Sequence, residues 1–232
     1  MKNVKIRENL DVKILSEDNN PFDYNFKVII LGDQNVGKSS LTNRAIKEEF
    51  RLDYIATVGF EFYLMNMKIN DKIVRLQIWD TCGQEIYKSL IKNFYRGASV
   101  AFLVYAINYR ESFNNIEGWI KEVKENSSPD VKFFLIGNKS DLESERTVTF
   151  KEGENLAKNF QMNFYSETSA KTGENARKIF IEAAKILFVE AEKNAKNGNR
   201  SVSLVNAAYN LHPSHKLESQ NRKKKKNESK CC

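Results

Sequence analysis

The 232-residue sequence has only 3 prolines and 3 cysteines, and it contains no long apolar run. No stretch approaches the roughly 18 consecutive apolar residues that a membrane-spanning helix needs. The polar opening, MKNVKIRENLDVK, has no apolar centre of the kind that a secretory signal peptide carries. We therefore expect a globular chain that stays in the cytosol unless a lipid is attached to it.

The few cysteines are placed unevenly. Cys82 stands alone, whereas Cys231 and Cys232 are the last two residues of the sequence. Adjacent α-carbons lie about 3.8 Å apart, which is too close for an ordinary disulfide. The terminal pair is therefore predicted to be two free thiols that are open to modification.

The positive charge is concentrated near the C-terminal end. The formal net charge is +7, and from Lys216 onward seven basic residues face two acidic ones, which assigns +5 to this segment. The body of the protein is nearly neutral. Taken alone, the run RKKKK at 222–226 is as typical of a nuclear-import or nucleic-acid patch as of a membrane-binding segment.

Strand and helix patterns alternate between two polar tails, predicted at residues 1–24 and 191–232. The apolar runs VAFLVY and VKFFLI are typical of parallel strands that helices cover on both faces. Helix patterns lie at 40–50, 113–123 and 179–187, and TFKE at 149–152 fits a capping box that opens another helix. Residues 25–190 are therefore predicted to form one α/β domain. Its strands are expected at 26–31, 60–67, 73–79, 100–105, 133–136 and 164–166.

The segment LGDQNVGKSS places a phosphate-binding motif after the first of these strands. Gly32 to Ser39 matches G-x-x-x-x-G-K-[ST], with a helix expected next. The glycines allow backbone amides to surround a phosphate, Lys38 can neutralise its oxygens, and the Ser39 hydroxyl can bind Mg²⁺. A mere tight turn is the alternative. The predicted phosphate site consists of Gly32, Asp33, Gln34, Asn35, Val36, Gly37, Lys38, Ser39 and Ser40.

Two further motifs are candidates for recognising a base. NKSD, at 138–141, follows a central strand, and the Asp141 carboxylate could accept two hydrogen bonds that guanine offers and adenine does not. Alone, NKSD could equally be a polar turn. ETSAK, at 167–171, could add the Ser169 and Ala170 amides as donors to guanine O6. Together these motifs predict a GTP or GDP site that includes Asn138, Lys139, Asp141, Ser169, Ala170 and Lys171.

Hydrolysis of GTP requires a metal ion and a group that orients the attacking water. WDTCGQE, at 79–85, ends a strand and could supply Asp80 on the metal side, the Gly83 amide for the γ-phosphate and Gln84 for the water. Thr57 could provide a second Mg²⁺ ligand. The alternative is that this segment is an ordinary surface loop.

These motifs resemble the Ras superfamily of small GTPases over about residues 25–189, and more narrowly the Rab family. TVGFEF, RLQIW, FYRGA, LVYAI and the terminal cysteine pair carry the narrower resemblance. The resemblance implies a three-layer P-loop NTPase small G domain with a mostly parallel six-stranded sheet and helices on both faces. It further implies that Phe50 and Tyr54 contact the nucleotide, and that Phe62, Trp79 and Phe94 form an exposed triad for effectors.

The alternation of IVRLQIW independently supports an exposed position for one member of the triad. Val74, Leu76 and Ile78 share an apolar face, so Trp79 falls on the polar face, where an indole is a candidate hot spot. A neighbouring loop that covers Trp79 remains the alternative. The sequence also departs from the family at Cys82, Ile86, Phe94 and Ala106, where alanine, arginine, tyrosine and aspartate are usual.

The ending RKKKKNESKCC resembles the double-cysteine ending on which Rab proteins carry two geranylgeranyl groups. Two lipids and a basic run predict attachment of Cys231 and Cys232 to a cytoplasmic membrane face, alongside a soluble pool. The resemblance implies a trafficking switch. Its expected partners are an exchange factor, an activating protein, a GDP dissociation inhibitor, prenylation escort machinery and effectors, and nucleic acid is not expected among them. The alternatives are a constitutive nucleotide-bound scaffold and an ATP-dependent P-loop enzyme.

Overall fold

A computed structural model of the protein describes residues 10–15, 21–50, 60–81 and 94–197. Over these ranges, seven strands form one sheet in the order β1-β3-β4-β2-β5-β6-β7. The pairs β2–β4, β2–β5, β5–β6 and β6–β7 are parallel, whereas β1–β3 and β3–β4 are antiparallel. The strands are β1 (Val12–Leu15), β2 (Tyr24–Leu31), β3 (Phe60–Ile69), β4 (Lys72–Thr81), β5 (Ala98–Ala106), β6 (Lys132–Asn138) and β7 (Phe164–Glu167).

Helices connect the parallel strands, as a parallel sheet requires. One 3₁₀ turn at Glu143–Glu145 accompanies them. None of the helices in the described part of the chain is both long and apolar enough to cross a membrane. They are α1 (Lys38–Lys47), α2 (Arg110–Asn114), α3 (Ile116–Asn126), α4 (Phe150–Asn159) and α5 (Lys178–Lys196).

The sheet has a hydrophobic core on each face. In β2, Val28 and Ile30 face the core formed with α1 and α5, whereas Ile29 and Leu31 face the core formed with α3 and α4. Each fully buried aliphatic side chain of this kind contributes about 1.5–3 kcal/mol. The predicted three-layer α/β arrangement is therefore confirmed.

The capping box predicted at the start of α4 is present. The Thr149 hydroxyl accepts a hydrogen bond from the Glu152 amide, and the Glu152 carboxylate accepts one from the Thr149 amide. This exchange satisfies two of the amides that would otherwise have no partner at a helix N-terminus.

The predicted number of strands is wrong by one. The additional strand, Val12–Leu15, lies in the segment predicted to be a polar tail, and it pairs with Asn66–Ile69 at the edge of the sheet. Val12 and Ile14 of this strand, and Leu10 just before it, pack against the core beneath. Helix boundaries also shift: α1 begins at Lys38, directly after Gly37 in the left-handed conformation, and α5 continues past residue 190 to Lys196.

Candidate functional site

The loop between β2 and α1 depends on two glycines with positive φ. Gly32 has φ of 141° and Gly37 has φ of 91°. A Cβ atom at Gly32 would lie 2.1 Å from the Val104 carbonyl oxygen, and one at Gly37 would lie 2.5 Å from the Asn138 side-chain nitrogen. Both positions therefore exclude a side chain because of crowding as well as conformation.

Lys38 lies at the start of α1 with its side chain folded back over this loop. Its Nζ donates 2.7 Å hydrogen bonds to the carbonyls of Gly32 and Asp33, and the residue is only 5% exposed. Gln34 and Asn35 are exposed at the tip, Val36 is buried in the core, and Ser39 and Ser40 are half-buried in the first turn of α1. A buried ammonium beside a helix N-terminus is an environment that suits a phosphate.

Asp80, near the end of β4, has a buried carboxylate. Neither of its oxygens accepts a hydrogen bond of normal geometry from the residues that the structure describes. Burial raises the pKa of this carboxyl to about 7, against the opposing effects of the Ser39 hydroxyl and the Lys38 ammonium. A cation would relieve the cost of burying such a group. Asp80 and Ser39 together therefore fit a Mg²⁺ ion, which prefers oxygen ligands.

Asn138, at the end of β6, connects the three predicted motifs. Its Nδ2 donates to the carbonyls of Val36 at 2.8 Å and Gly37 at 3.4 Å, within the phosphate loop. Its Oδ1 accepts a 3.2 Å hydrogen bond from the Thr168 hydroxyl, within ETSAK. These contacts bring the segments predicted to bind the phosphates and the base together at the carboxyl edge of the parallel strands, the usual ligand-binding edge of such sheets.

Asp141 and the 167–171 segment face each other beside this junction. The Ser169 hydroxyl donates a 2.6 Å hydrogen bond to Asp141, and the Lys171 ammonium lies 3.9 Å from the second carboxylate oxygen. Lys139 has a positive φ of 67°, and burial lowers the pKa of its ammonium. The Asp141 carboxylate is thus oriented by its neighbours.

The predicted role of the Ser169 amide is wrong. This N–H donates a 3.0 Å hydrogen bond to the Glu174 carbonyl, so it is not available to a base oxygen. Ser169 instead acts through its hydroxyl on Asp141. The sequence could not show this because the bond closes a turn whose geometry depends on Gly173, with φ of 88°.

Two contacts to the phosphate loop were missed in the sequence analysis. The Asp33 carboxylate accepts hydrogen bonds from the Asn115 amide at 2.7 Å and from the Trp119 indole at 2.9 Å. Asn115 and Trp119 are four residues apart and therefore lie on one side of α3 and its cap. The four-residue spacing predicts that Asn115 and Trp119 can bind one group together, but it does not identify Asp33 as that group.

The predicted effector triad is a connected cluster with unequal exposure. Trp79 lies 5.2 Å from Phe62 and 6.2 Å from Phe94, measured between ring centroids. Phe62 is 46% exposed and Trp79 is half-buried, but Phe94 is only 8% exposed. The predicted exposure of Phe94 is therefore wrong: its ring packs between Trp79 and Tyr95, beneath the Lys27 ammonium.

Phe50 is half-buried against the core, and its predicted contact with guanine stays a prediction. Several predicted residues lie outside the part of the chain that the structure describes. They are Tyr54, Thr57, Cys82, Gly83, Gln84, Ile86, Cys231 and Cys232.

The fold and the site together define a nucleotide-binding P-loop domain of the α/β class. The family model for the Ras family matches residues 27–188. Ras-related protein Rab-11B of Dictyostelium discoideum is 39% identical over 191 residues, covering 79% of this chain and 86% of that protein. Ras-related protein RABA6b of Arabidopsis thaliana is 43% identical over 159 residues, covering 68% of this chain and 69% of that protein.

A third relative, Ras-related protein Rab-13 of Rattus norvegicus, is 38% identical over 180 residues, which is 78% of this chain and 88% of that protein. The chain therefore belongs to the Rab family of Ras-related small GTPases. Its function class is that of a small GTPase in membrane trafficking.

Proposed function

We propose that this protein is a Rab-type switch that binds GTP, hydrolyses it slowly and recruits effectors only in the GTP-bound state. The observation that carries the proposal is Asn138, because its side chain hydrogen-bonds to both the phosphate loop and ETSAK. The segment assigned to the phosphates and the segment assigned to the base therefore lie side by side, as one bound nucleotide requires. Membership of the Rab family supports the same conclusion.

The chemistry is assigned to four residues that the structure describes near the ends of the parallel strands, Lys38, Ser39, Asp80 and Asp141, and to Thr57, Gly83 and Gln84, which lie outside the described residues. Lys38 neutralises phosphate charge, and Asp141 selects guanine by accepting hydrogen bonds from its N1–H and 2-amino groups. Ser39, Asp80 and Thr57 would hold Mg²⁺, which supplies charge stabilisation to the phosphates when bound. Gln84 orients the attacking water, and the Gly83 amide senses the γ-phosphate. Because no arginine finger is assigned in this chain, we expect slow hydrolysis that an activating protein accelerates.

The cycle requires a membrane and regulators. We propose that Cys231 and Cys232 carry two prenyl groups, which together with the basic run attach the protein to the cytoplasmic face of an intracellular membrane. An exchange factor, a GDP dissociation inhibitor, escort machinery and effectors complete the cycle. Over the residues that the structure describes, nothing favours the constitutive scaffold.

The proposal is tested by measuring the affinity of the purified protein for GTP, GDP and ATP in the presence of Mg²⁺. We expect guanine nucleotides to bind much more tightly than ATP, and Lys38→Ala to abolish most of that binding. Lys121→Ala is the control, since this lysine is exposed on α3 and pairs only weakly with Glu125 at 3.9 Å. Equal affinity for ATP and GTP, or unaltered binding by Lys38→Ala, would contradict the proposed site.

Switching is tested separately by capturing partners from cell extract with protein loaded with GDP or with a non-hydrolysable GTP analogue. We expect two different sets of partners, because the effectors of a switch discriminate between its two states. Identical sets would favour a scaffold.

A further inference from the structure

Arg44, in the last turn of α1, reaches across to the ETSAK segment. Its Nε donates a 3.0 Å hydrogen bond to the Ala170 carbonyl, and its Nη2 donates one of 2.5 Å to the Lys171 carbonyl. Its third nitrogen, Nη1, donates to the Glu48 carbonyl at 2.7 Å. One guanidinium therefore joins the helix that follows the phosphate loop to the segment assigned to the base.

The arrangement depends on the shape of the arginine side chain. A guanidinium holds five N–H donors in a rigid plane, so three carbonyls at different positions can be bound at once. A lysine ammonium at the same position is a single point and cannot span them. The specific function of Arg44 is thus geometric rather than a matter of charge alone.

Fixing these carbonyls also fixes the amides that follow them. In a trans peptide the C=O and N–H groups point in opposite directions. Because the Ala170 carbonyl points at Arg44, the Lys171 N–H points away from it. Over the described part of the chain, no hydrogen bond engages this N–H. It is therefore a donor with a fixed direction that can serve a ligand.

The other side of the segment is fixed independently. The Thr172 amide donates a 3.0 Å hydrogen bond to the Ser169 hydroxyl, and that hydroxyl donates to Asp141. Arg44 therefore holds the carbonyls of Ala170 and Lys171, while Asp141 holds the Ser169 hydroxyl. The Lys171 N–H lies between these two restraints.

We propose that Arg44 is a positioning residue for base recognition, which holds the Lys171 N–H in place to donate to the O6 oxygen of guanine. The inference rests on the proposed guanine site and adds to it the source of its rigidity. It also replaces the Ser169 amide, which is already engaged, with Lys171 as a donor to O6.

Arg177 offers a matched control. It precedes α5, and its Nε donates to the Ala45 carbonyl at 3.0 Å while its Nη1 pairs with Glu48 at 2.6 Å. Like Arg44 it ties α1 to the C-terminal part of the domain. However, these contacts go to α1 and to Glu48 just after it, not to the carbonyls of Ala170 and Lys171.

The experiment compares GDP with the diphosphate of 2-aminopurine riboside, which keeps the 2-amino group but has neither the O6 oxygen nor the N1–H of guanine. In Arg44→Met we expect GDP affinity to fall on the order of tenfold, the loss of about one hydrogen bond, while affinity for the analogue changes by less than about twofold. Arg177→Met should leave the ratio of the GDP affinity to the analogue affinity unchanged, even if it lowers the melting temperature as much as Arg44→Met does.

Equal losses for both ligands in Arg44→Met, or no loss for GDP, would overturn the inference. Arg44→Lys provides a second variant if Arg44→Met folds poorly, and it should show the same selective loss at a smaller magnitude, since the ammonium can retain one carbonyl. A wild-type protein that binds ADP as tightly as GDP would instead refute the proposed function, and the positioning role with it.

Discussion

The Asn138 side-chain amide donates a 2.8 Å hydrogen bond to the carbonyl of Val36, so the end of β6 is fixed directly to the phosphate loop. Asn138 is only 1% exposed. A buried amide that serves the phosphate loop and Thr168 simultaneously couples the geometry of the two halves of the nucleotide site. A change in one half therefore affects the other.

Replacement of Asn138 by alanine should weaken both stability and nucleotide binding. The variant leaves the Val36 carbonyl and the Thr168 hydroxyl without their partner, and we expect a loss of about 1–3 kcal/mol in the free energy of unfolding. GDP should also dissociate faster. Urea unfolding and the GDP dissociation rate provide the measurements.

Asn126→Ala is the control for this variant. Its amide donates a 2.8 Å hydrogen bond to the Glu122 carbonyl within α3, which ends shortly before the start of β6, the end of that strand opposite to Asn138. We expect a modest loss of stability and an unaltered GDP dissociation rate. If Asn138→Ala released GDP at the wild-type rate, the connection between the two halves would have no role in binding.

The capping box of α4 should make stability depend on pH in the acidic range. Hydrogen bonds from Arg110 and from Thr149 lower the pKa of Glu152 to about 2, below its ordinary value of 4.5. The stability that its ionised form contributes is therefore fully present above about pH 5 and is lost as the pH falls toward 2. Because the pair is partly exposed to water, we expect about 1 kcal/mol.

The measurement is the difference in free energy of unfolding between wild type and Glu152→Gln, from pH 7 down to pH 3. The difference should shrink as the pH falls below 5. Glu125→Gln is the control, since its weak pair with Lys121 on α3 is mostly exposed and should contribute little at any pH. A difference that is constant over the whole range would show that the carboxylate charge is not involved.

Sequence patterns sufficed where the determining interactions are local. The alternation of Val74, Leu76 and Ile78 correctly predicted the buried face of β4, because a strand repeats every two residues. The continuous apolar sequences of β5 and β6 correctly predicted strands that are covered on both faces, although β2 is the central strand and β6 lies next to the edge strand β7. The loop between β2 and α1 followed from the spacing of its two glycines and Lys38, which are close together in the sequence.

Contacts between distant segments were not predictable in the same way. Leu10 to Ile14 alternate between apolar and polar residues, but the signal is only five residues long and lies in a polar segment that was predicted to be a tail. The strand forms because Asn66–Ile69 provides an edge for β1 to pair with. Likewise, the partners of Asp33 and of Arg44 belong to other elements. Phe94 is buried because Trp79 and Tyr95 surround it, which its own position in the sequence does not reveal.

The edge strand β1 should stabilise the domain without affecting the nucleotide site. Ile14 lies opposite Met67 and packs against the core, whereas Lys13 on the same strand is exposed. We expect Ile14→Asp to reduce the free energy of unfolding by about 1–2 kcal/mol, since it places a charge on an apolar face. Lys13→Asp should change it by less than about 0.5 kcal/mol.

Both variants should bind GDP with wild-type affinity, because β3 and β4 separate β1 from the strand that leads into the phosphate loop. Urea unfolding together with GDP titration distinguishes the two effects. Equal stability of the two variants would mean that β1 does not contribute to the core in solution.

Substitutions in the aromatic cluster should affect effector binding and stability separately. Phe62 is half exposed, so Phe62→Ala should alter the free energy of unfolding by less than about 1 kcal/mol while it reduces capture of GTP-selective partners. Phe94 is buried, so Phe94→Ala should cost about 3–5 kcal/mol. The measurements are urea unfolding and partner capture with the GTP analogue, with Tyr109→Ala as an exposed aromatic control on another element. If Phe62→Ala captured the wild-type set of partners, the predicted effector surface would have to lie elsewhere on the domain.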